Sequence, residues 1–230
     1  MKIGIIVQAR MNSQRLPSKV LALVNGKPLL QYLLERLKMC SSIDKIIVAT
    51  SDEITDDPIE QFCSEYKVIC YRGSLKNVAE RFYMVINQYN LDFFVRVCAD
   101  SPLLDFKLID HAVNLLDMEC DIVTNILPRT FPSGQSVEVI KSSTFKKIYK
   151  KISQADDLEH VTKYFYDHQN EFNISNFTNF IDLSSYRLAV DTFEDLKRIK
   201  RIIESMKKSQ TENNLNDLIE IYPSTKKLLC

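Results

Sequence analysis

Arg10, Arg15 and Lys19 fall within one short polar stretch that also carries Ser13, and like charges so close together repel one another. A polyphosphate ligand would give such a cluster a use. Guanidiniums grip phosphate oxygens in bidentate fashion, lysine adds a point charge, and backbone N–H groups complete the cradle. Leu16 and Pro17 stiffen the stretch, so less ordering entropy is lost on binding. Charge alone leaves a solvated basic loop as an equal reading, and no G-x-x-x-x-G-K-[ST] marks a P-loop. Two aspartates, Asp100 and Asp191, each follow an apolar run and supply the opposite charge. Taken singly, either could cap a helix. Taken together beside a polyphosphate, they are a carboxylate pair able to hold Mg²⁺. Asp105 and Asp195 read as caps or surface pairs.

Such residues need a scaffold that brings distant segments together, and the apolar pattern describes one. Residues 3–7 form a continuous apolar run, as in a strand covered on both faces. Pro28 opens a helix reaching residue 37, proline being suited to a first helical turn. Strands follow at 45–50, 68–70, 92–97 and 121–124, alternating with helices at 57–66, 77–90 and 106–118. This alternation implies right-handed βαβ units: an α/β fold of three layers, with a mainly parallel sheet between helices. Ligands of such sheets sit beyond the carboxyl ends of the strands, where the basic loop and Asp100 fall. After Asn125 come a turn-rich loop at 127–134, a strand at 137–140 and helices at 144–152 and 157–168. A last strand at 187–190 leads into a helix over 193–206. The domain is read as residues 1–208, and 209–230 as a C-terminal appendage that begins with a polar linker at 209–214.

Composition excludes several classes of partner. Thirty basic and thirty acidic side chains cancel, so no global field points to DNA, RNA or an anionic membrane. No apolar run approaches the roughly 20 residues that cross a bilayer, and the N-terminal run is too short for a signal-peptide core. The expected compartment is the cytoplasm, with Cys40, Cys63, Cys70, Cys98, Cys120 and Cys230 as reduced thiols. They contain no C-x-x-C pair, and His111, His160 and His168 show no zinc-ligand spacing.

The stretch from Ile5 to Leu21 reads I-I-V-Q-A-R-M-N-S-Q-R-L-P-S-K-V-L. It resembles the N-terminal signature of the CMP-sugar cytidylyltransferases, A-R-x-x-S-x-R-L-P-x-K, whose following G-K-P-L returns here from Gly26 to Leu29. That family takes in CMP-Kdo synthetases, CMP-sialic acid synthetases and SpsF-like spore-coat polysaccharide proteins, the last being most similar by eye. The resemblance implies a nucleotide-diphospho-sugar transferase fold, GT-A or Rossmann-like, with CTP as the nucleotide. It places Gln8 and Ala9 by the cytosine and Arg10, Ser13, Arg15 and Lys19 on the triphosphate. It puts Arg72 and Arg81 near the nucleotide and makes Asp100 and Asp191 the Mg²⁺ ligands. On residue chemistry alone, a surface salt bridge is the lesser reading for Arg72, and Arg81 stands evenly between a structural and a nucleotide-binding role. SpsF-like members usually carry glycine at the positions of Asn12 and Ser18. Asparagine tolerates left-handed backbone angles, so Asn12 is expected to keep that turn, whereas Ser18 is the harder fit.

The acceptor is expected over the second half, with acceptor and dimerisation elements within about 126–185. Residues 131–138 resemble the SpsF-like Y-P-D-G-x-D-V-E segment, with Ser133 and Ser136 replacing its two aspartates. Gln135 and Glu138 from this segment, and His160 from an E-H-V-T stretch, are the expected acceptor-binding residues. His160 could assist proton removal, although simple packing is as open a reading. The implied reaction is in-line attack by a sugar oxygen on the α-phosphate of CTP, with Arg10, Arg15, Lys19 and Asp100 as its catalytic set. A homodimer is expected, as the family commonly forms one. Other readings are transfer to a phosphorylated acceptor, a GT-A-type glycosyltransferase and a non-catalytic nucleotide sensor. The glycosyltransferase is disfavoured because no D-x-D follows the fourth strand.

Overall fold

The run at the N-terminus is β1 (Ile3–Gln8). A two-stranded ribbon, β2 (Leu23–Val24) and β3 (Lys27–Pro28), leads into α1 (Leu29–Leu37). Then come β4 (Lys45–Ser51), α2 (Asp57–Glu65), β5 (Ile69–Gly73), α3 (Val78–Tyr89), β6 (Phe93–Cys98) and α4 (Phe106–Asn114). The second half holds β7 (Ile122–Thr124), β8 (Glu138–Lys141), α5 (Ser142–Tyr149), α6 (Ala155–Glu159), α7 (Lys163–Asp167) and β9 (Ile174–Asn176). It closes on α8 (Phe193–Ser205) and α9 (Leu215–Lys226). The structure, a computed structural model, describes residues 1–226, with side chains as far as Tyr222; Cys230 lies outside the described residues.

Seven strands form one sheet in the order β5-β4-β1-β6-β8-β7-β9. The first four are parallel, and β8 runs antiparallel to both β6 and β7. Side chains alternate across this sheet with a period of two. Ile5, Val7, Val48 and Val95 face one core, shared with α1, α4 and α8. Ile6, Ile47, Ala49 and Phe94 face the other, shared with α3 and α5. Both faces being covered, β1 has no polar side and reads as an unbroken apolar run. The carboxyl ends of the parallel strands β1, β4, β5 and β6 therefore lie along one edge of the sheet.

Three expectations need correction. Residues 187–190 make no strand, because their backbone bonds go to loops and no ladder forms. Leu188 N donates to Ser133 O (2.7 Å) and Val190 N to Asp100 O (2.8 Å). Gly134 permits this crossing: its φ is +91°, and a Cβ would lie 2.5 Å from backbone atoms of Leu188 and Ala189. The single helix expected at 157–168 is two, α6 and α7, broken at His160 (φ −104°, ψ 73°). β-Branched Val161 and Thr162 follow, and Val161 is buried in the core, so the chain leaves the helix to seat it. The C-terminal segment is no loose appendage. Leu215 and Leu218 join the main core, and Leu215 N donates to Asp105 Oδ2 (2.9 Å). Fully buried Arg36 staples the preceding linker, bonding the carbonyls of Leu104, Gln210 and Asn213.

Candidate active site

The loop after β1 takes its shape from a buried anchor. Asp56 Oδ1 accepts from Met11 N (2.7 Å), while its Oδ2 accepts from Thr50 Oγ1 (2.9 Å), Ser51 N (3.0 Å) and Ser51 Oγ (2.5 Å). Burial alone would raise the pKa of this carboxyl, but the bonds from Ser51, Met11 and Thr50 outweigh it and hold the group ionised. Met11 O in turn accepts from Ser13 N (2.9 Å) and Ser18 N (2.8 Å), which folds the loop back on itself. Ser18 sits in the left-handed region at φ 59°, the strain that glycine would remove. Asn12 is not left-handed, contrary to expectation; its Nδ2 donates to Thr55 Oγ1 (3.1 Å), so its side chain ties the loop to the β4–α2 turn.

The loop's cations meet the two aspartates. Lys19 Nζ lies 3.1 Å from Asp100 Oδ2, 3.0 Å from Asp191 Oδ1 and 2.7 Å from Val190 O, with its side chain only 10% exposed. Arg15 Nη2 pairs with Asp191 Oδ1 at 2.9 Å, and Arg10 Nη1 with Glu159 Oε1 at 2.8 Å. Gln8, Ala9, Ser13 and His160 join these residues in lining a cavity of about 430 Å³. Neither aspartate caps a helix. Asp105 is the N-cap of α4, and Thr192 caps α8 in a box completed by Asp195. Both carboxylates thus serve in caps, one of the two roles expected for them, and both are buried.

Not every expected residue reaches this cavity. Arg72 braces the β4–α2 corner instead: its guanidinium pairs with Asp57 (2.7 Å) and Glu60 (2.6 Å) and donates to the carbonyls of Ser51 and Glu53. Gln135 is fully buried, its side-chain oxygen accepting from Asp105 N (2.9 Å) and its amide donating to Leu103 O (2.8 Å). Both ends of its amide are therefore committed to the scaffold, away from any acceptor. Arg81 is also fully buried, and among the described residues none of its three guanidinium nitrogens has a hydrogen-bond partner. Burial lowers its pKa, against the opposing charges of Asp56 and Glu159. His160 stands at the rim, 59% exposed, with Nε2 3.5 Å from Asp156 Oδ1.

Glu138 belongs to a second, smaller cavity of about 160 Å³, which shares Cys98 and Asp100 with the first. It accepts from Arg96 Nη1 (2.7 Å) and from Tyr166 Oη (2.6 Å). Burial pushes the Cys98 thiol up to about 11, so it is neutral at pH 7 and no nucleophile. Reading the sequence missed Asp56, Glu159 as the partner of Arg10, and Arg187, which lies 3.6 Å from Asp191 Oδ2. It also missed Arg96, although an arginine inside an apolar strand was a visible signal.

Among the described residues no group of three or more His, Cys, Asp or Glu could hold a metal by itself. The donor chemistry nevertheless fits Mg²⁺. Asp100 and Asp191 each direct one oxygen at the Lys19 ammonium, which shows that the two carboxylates converge, and Mg²⁺ is commonly bound by one or two carboxylates with substrate phosphates and water.

A mainly parallel sheet with a basic loop and Asp100 beyond the carboxyl ends of its strands, and Asp191 brought beside them by the crossing segment, has the arrangement of a nucleotidyltransferase site. The comparisons narrow this class. The family model described as Cytidylyltransferase matches residues 4–227, and the chain belongs to that family. It is similar to a cytidylyltransferase structure from Leptospira borgpetersenii serovar Hardjo-bovis, with 32% identity and a TM-score of 0.94, covering 99% of this chain and 96% of that one. It is 31% identical to the spore coat polysaccharide biosynthesis protein SpsF of Bacillus subtilis, over 86% of this chain and 85% of that protein. A 3-deoxy-manno-octulosonate cytidylyltransferase of Francisella tularensis subsp. novicida is 28% identical over 81% of this chain and 75% of its own.

Proposed function

We propose that this cytidylyltransferase transfers CMP from CTP to an acidic sugar of the Kdo or nonulosonic acid kind, releasing pyrophosphate, in surface polysaccharide biosynthesis. The observation that carries the reading is Lys19 held between Asp100 and Asp191, with Arg15 on the same carboxylate. Similarity to the 3-deoxy-manno-octulosonate cytidylyltransferase supports the acidic acceptor, and similarity to SpsF supports the polysaccharide setting.

In this reading a sugar hydroxyl oxygen attacks the α-phosphorus in line, and the bond from that phosphorus to the bridging oxygen of the β-phosphate breaks. The hydroxyl gives up its proton and pyrophosphate leaves with the negative charge. Arg10, Arg15 and Lys19 bind the triphosphate and stabilise the charge that develops on the leaving group. Backbone N–H groups of the loop around Ser13 complete that cradle, and Gln8 and Ala9 lie toward the nucleoside. Asp100 and Asp191 would hold Mg²⁺, which when bound neutralises charge on the phosphate oxygens. In this reading Glu138 contacts the acceptor, and His160 at the rim takes the hydroxyl proton. Catalysis is then chiefly positioning and electrostatics.

Arg10→Ala and Asp100→Ala should each lower pyrophosphate release by roughly two to three orders of magnitude, with circular dichroism and melting unchanged. Near-normal release by either variant would remove that residue from the mechanism.

A further inference from the structure

Four charged side chains line the smaller cavity, and three of them are already balanced. Asp100 faces Lys19 at 3.1 Å. Arg96 faces Glu138 at 2.7 Å, and Glu138 takes a further bond from Tyr166. The fourth is Arg129, whose Nη1 donates to Ser136 Oγ at 3.0 Å, a neutral acceptor. Among the described residues no carboxylate lies within ion-pair distance of it. Burial draws its pKa down more than the more distant charge of Glu138, already paired with Arg96, raises it. A guanidinium has five N–H donors, and this one commits a single donor to a side chain.

The loop that carries Arg129 is held in place before any ligand arrives. Leu127 N donates to Asn176 Oδ1 (2.9 Å), and Thr130 accepts from Leu183 N (2.8 Å) and, at its hydroxyl, from Asn179 N (2.7 Å). A fixed cation beside a carboxylate-lined reaction centre is a preorganised oxyanion receptor. Because the cavity shares Asp100 and Cys98 with the nucleotide cavity, a molecule bound there lies against the reacting groups.

We infer that Arg129 binds the anionic group of the acceptor, and that Ser136 sets specificity by leaving that charge uncancelled. The inference rests on the reading of the site as one that passes CMP to an acidic sugar. An aspartate at 136, as in the segment this stretch resembles, would put a carboxylate where the hydroxyl now accepts from Arg129. The pair would close on itself and the pocket would favour a neutral sugar. Carboxylate and phosphate share the geometry a guanidinium reads, so the class recognised is an oxyanion on a sugar.

The experiment has two readouts. The first is turnover by the wild type of 3-deoxy-octulosonic acid, of its uncharged carboxamide and of a sugar phosphate. The second is calorimetric binding of the same three compounds to the protein holding a non-hydrolysable CTP analogue, for the wild type, Arg129→Gln, Arg129→Lys and Ser136→Asp. Arg129→Gln should weaken binding of the acid about a hundredfold, leave the carboxamide unchanged and leave affinity for the CTP analogue unchanged. Arg129→Lys should restore part of the loss, and Ser136→Asp should abolish the preference for acid over carboxamide. If Arg129→Gln binds the acid as the wild type does, the inference is overturned while the reaction can stand. If the wild type turns over no acid, yet binding of acid or sugar phosphate depends on Arg129, the reaction is wrong and the oxyanion receptor stands. If the wild type binds none of the three, both fail.

Discussion

Asp56 lies outside the cavity, yet the loop that carries the phosphate-binding cations depends on it, and Asp56→Asn isolates that dependence. The carboxylate serves two sides: Oδ1 holds Met11 N, and Oδ2 holds Thr50 Oγ1 and two groups of Ser51. An amide has one acceptor oxygen, so one side must face an NH₂ group. Turning the NH₂ toward Met11 sacrifices the Met11 bond, whereas the opposite orientation sacrifices the Ser51 N bond and forces the hydroxyls of Thr50 and Ser51 to turn from donors to acceptors. Losing a bond to a charged acceptor costs about 1.5–3 kcal/mol, and the remaining bonds weaken because charge-assisted bonds are roughly twice as strong as neutral ones. The sum is about 3 kcal/mol. For a domain of this size that corresponds to a fall in Tm of about 6–12 °C. The freed Met11 N–H also releases the turn that positions Arg10 and Ser13, and a displacement of about 1 Å can cost about a hundredfold in kcat/KM. Scanning calorimetry and steady-state pyrophosphate release at limiting CTP read the two effects. A variant that melts within about 1 °C of the wild type and keeps its kcat/KM for CTP would refute the anchor.

Three further outcomes follow from the geometry. Ser18→Gly should raise stability by about 1 kcal/mol, because the left-handed backbone at φ 59° carries a penalty for any residue with a Cβ; a lower Tm for the glycine variant would contradict this. Arg72→Ala should leave KM for CTP within about twofold of the wild type, since its guanidinium is engaged by Asp57 and Glu60 outside the cavity; a large rise in KM would return it to the nucleotide site. At Asp195, burial opposes ionisation, but bonds from Arg198 and Thr192 and from backbone N–H groups bring the pKa down to about 2. A depressed folded-state value contributes stability that is complete above the ordinary carboxylate range and lost as pH falls toward 2. Wild type should therefore exceed Asp195→Asn by about 1–2 kcal/mol near neutrality, a gap that closes in urea titrations between about pH 4 and pH 2; a gap that stays constant would place the stabilisation elsewhere.

Sequence was most informative where chemistry is costly to keep without a purpose. Clustered cations at Arg10, Arg15 and Lys19, and aspartates after apolar runs at 100 and 191, are visible because repulsion and desolvation make them conspicuous. The central strands were visible for a similar reason, since burial on both faces removes every polar residue from a run such as 3–7. Pairings between distant segments left no local trace. Nothing near Glu159 in the chain says that it meets Arg10, and nothing near Arg36 says that it gathers three carbonyls from residues 104, 210 and 213. Residues 187–190 have the apolar content of a strand, but hydrogen-bond partners decide strand from crossing, and those are Ser133 and Asp100. Gln135 and Arg72 show the converse error. Their positions were inferred from a resemblance along the chain, while their side chains are occupied by the scaffold.

The central claim concerns which bond is made. The wild type incubated with CTP, Mg²⁺ and 3-deoxy-octulosonic acid or a nonulosonic acid, followed by mass spectrometry of the product and assay of pyrophosphate, tests it directly. The account predicts a sugar acid joined to a single phosphate of CMP, with one pyrophosphate released for each product formed. A CDP-linked product from a sugar phosphate, or no consumption of CTP with any sugar acid, would contradict it.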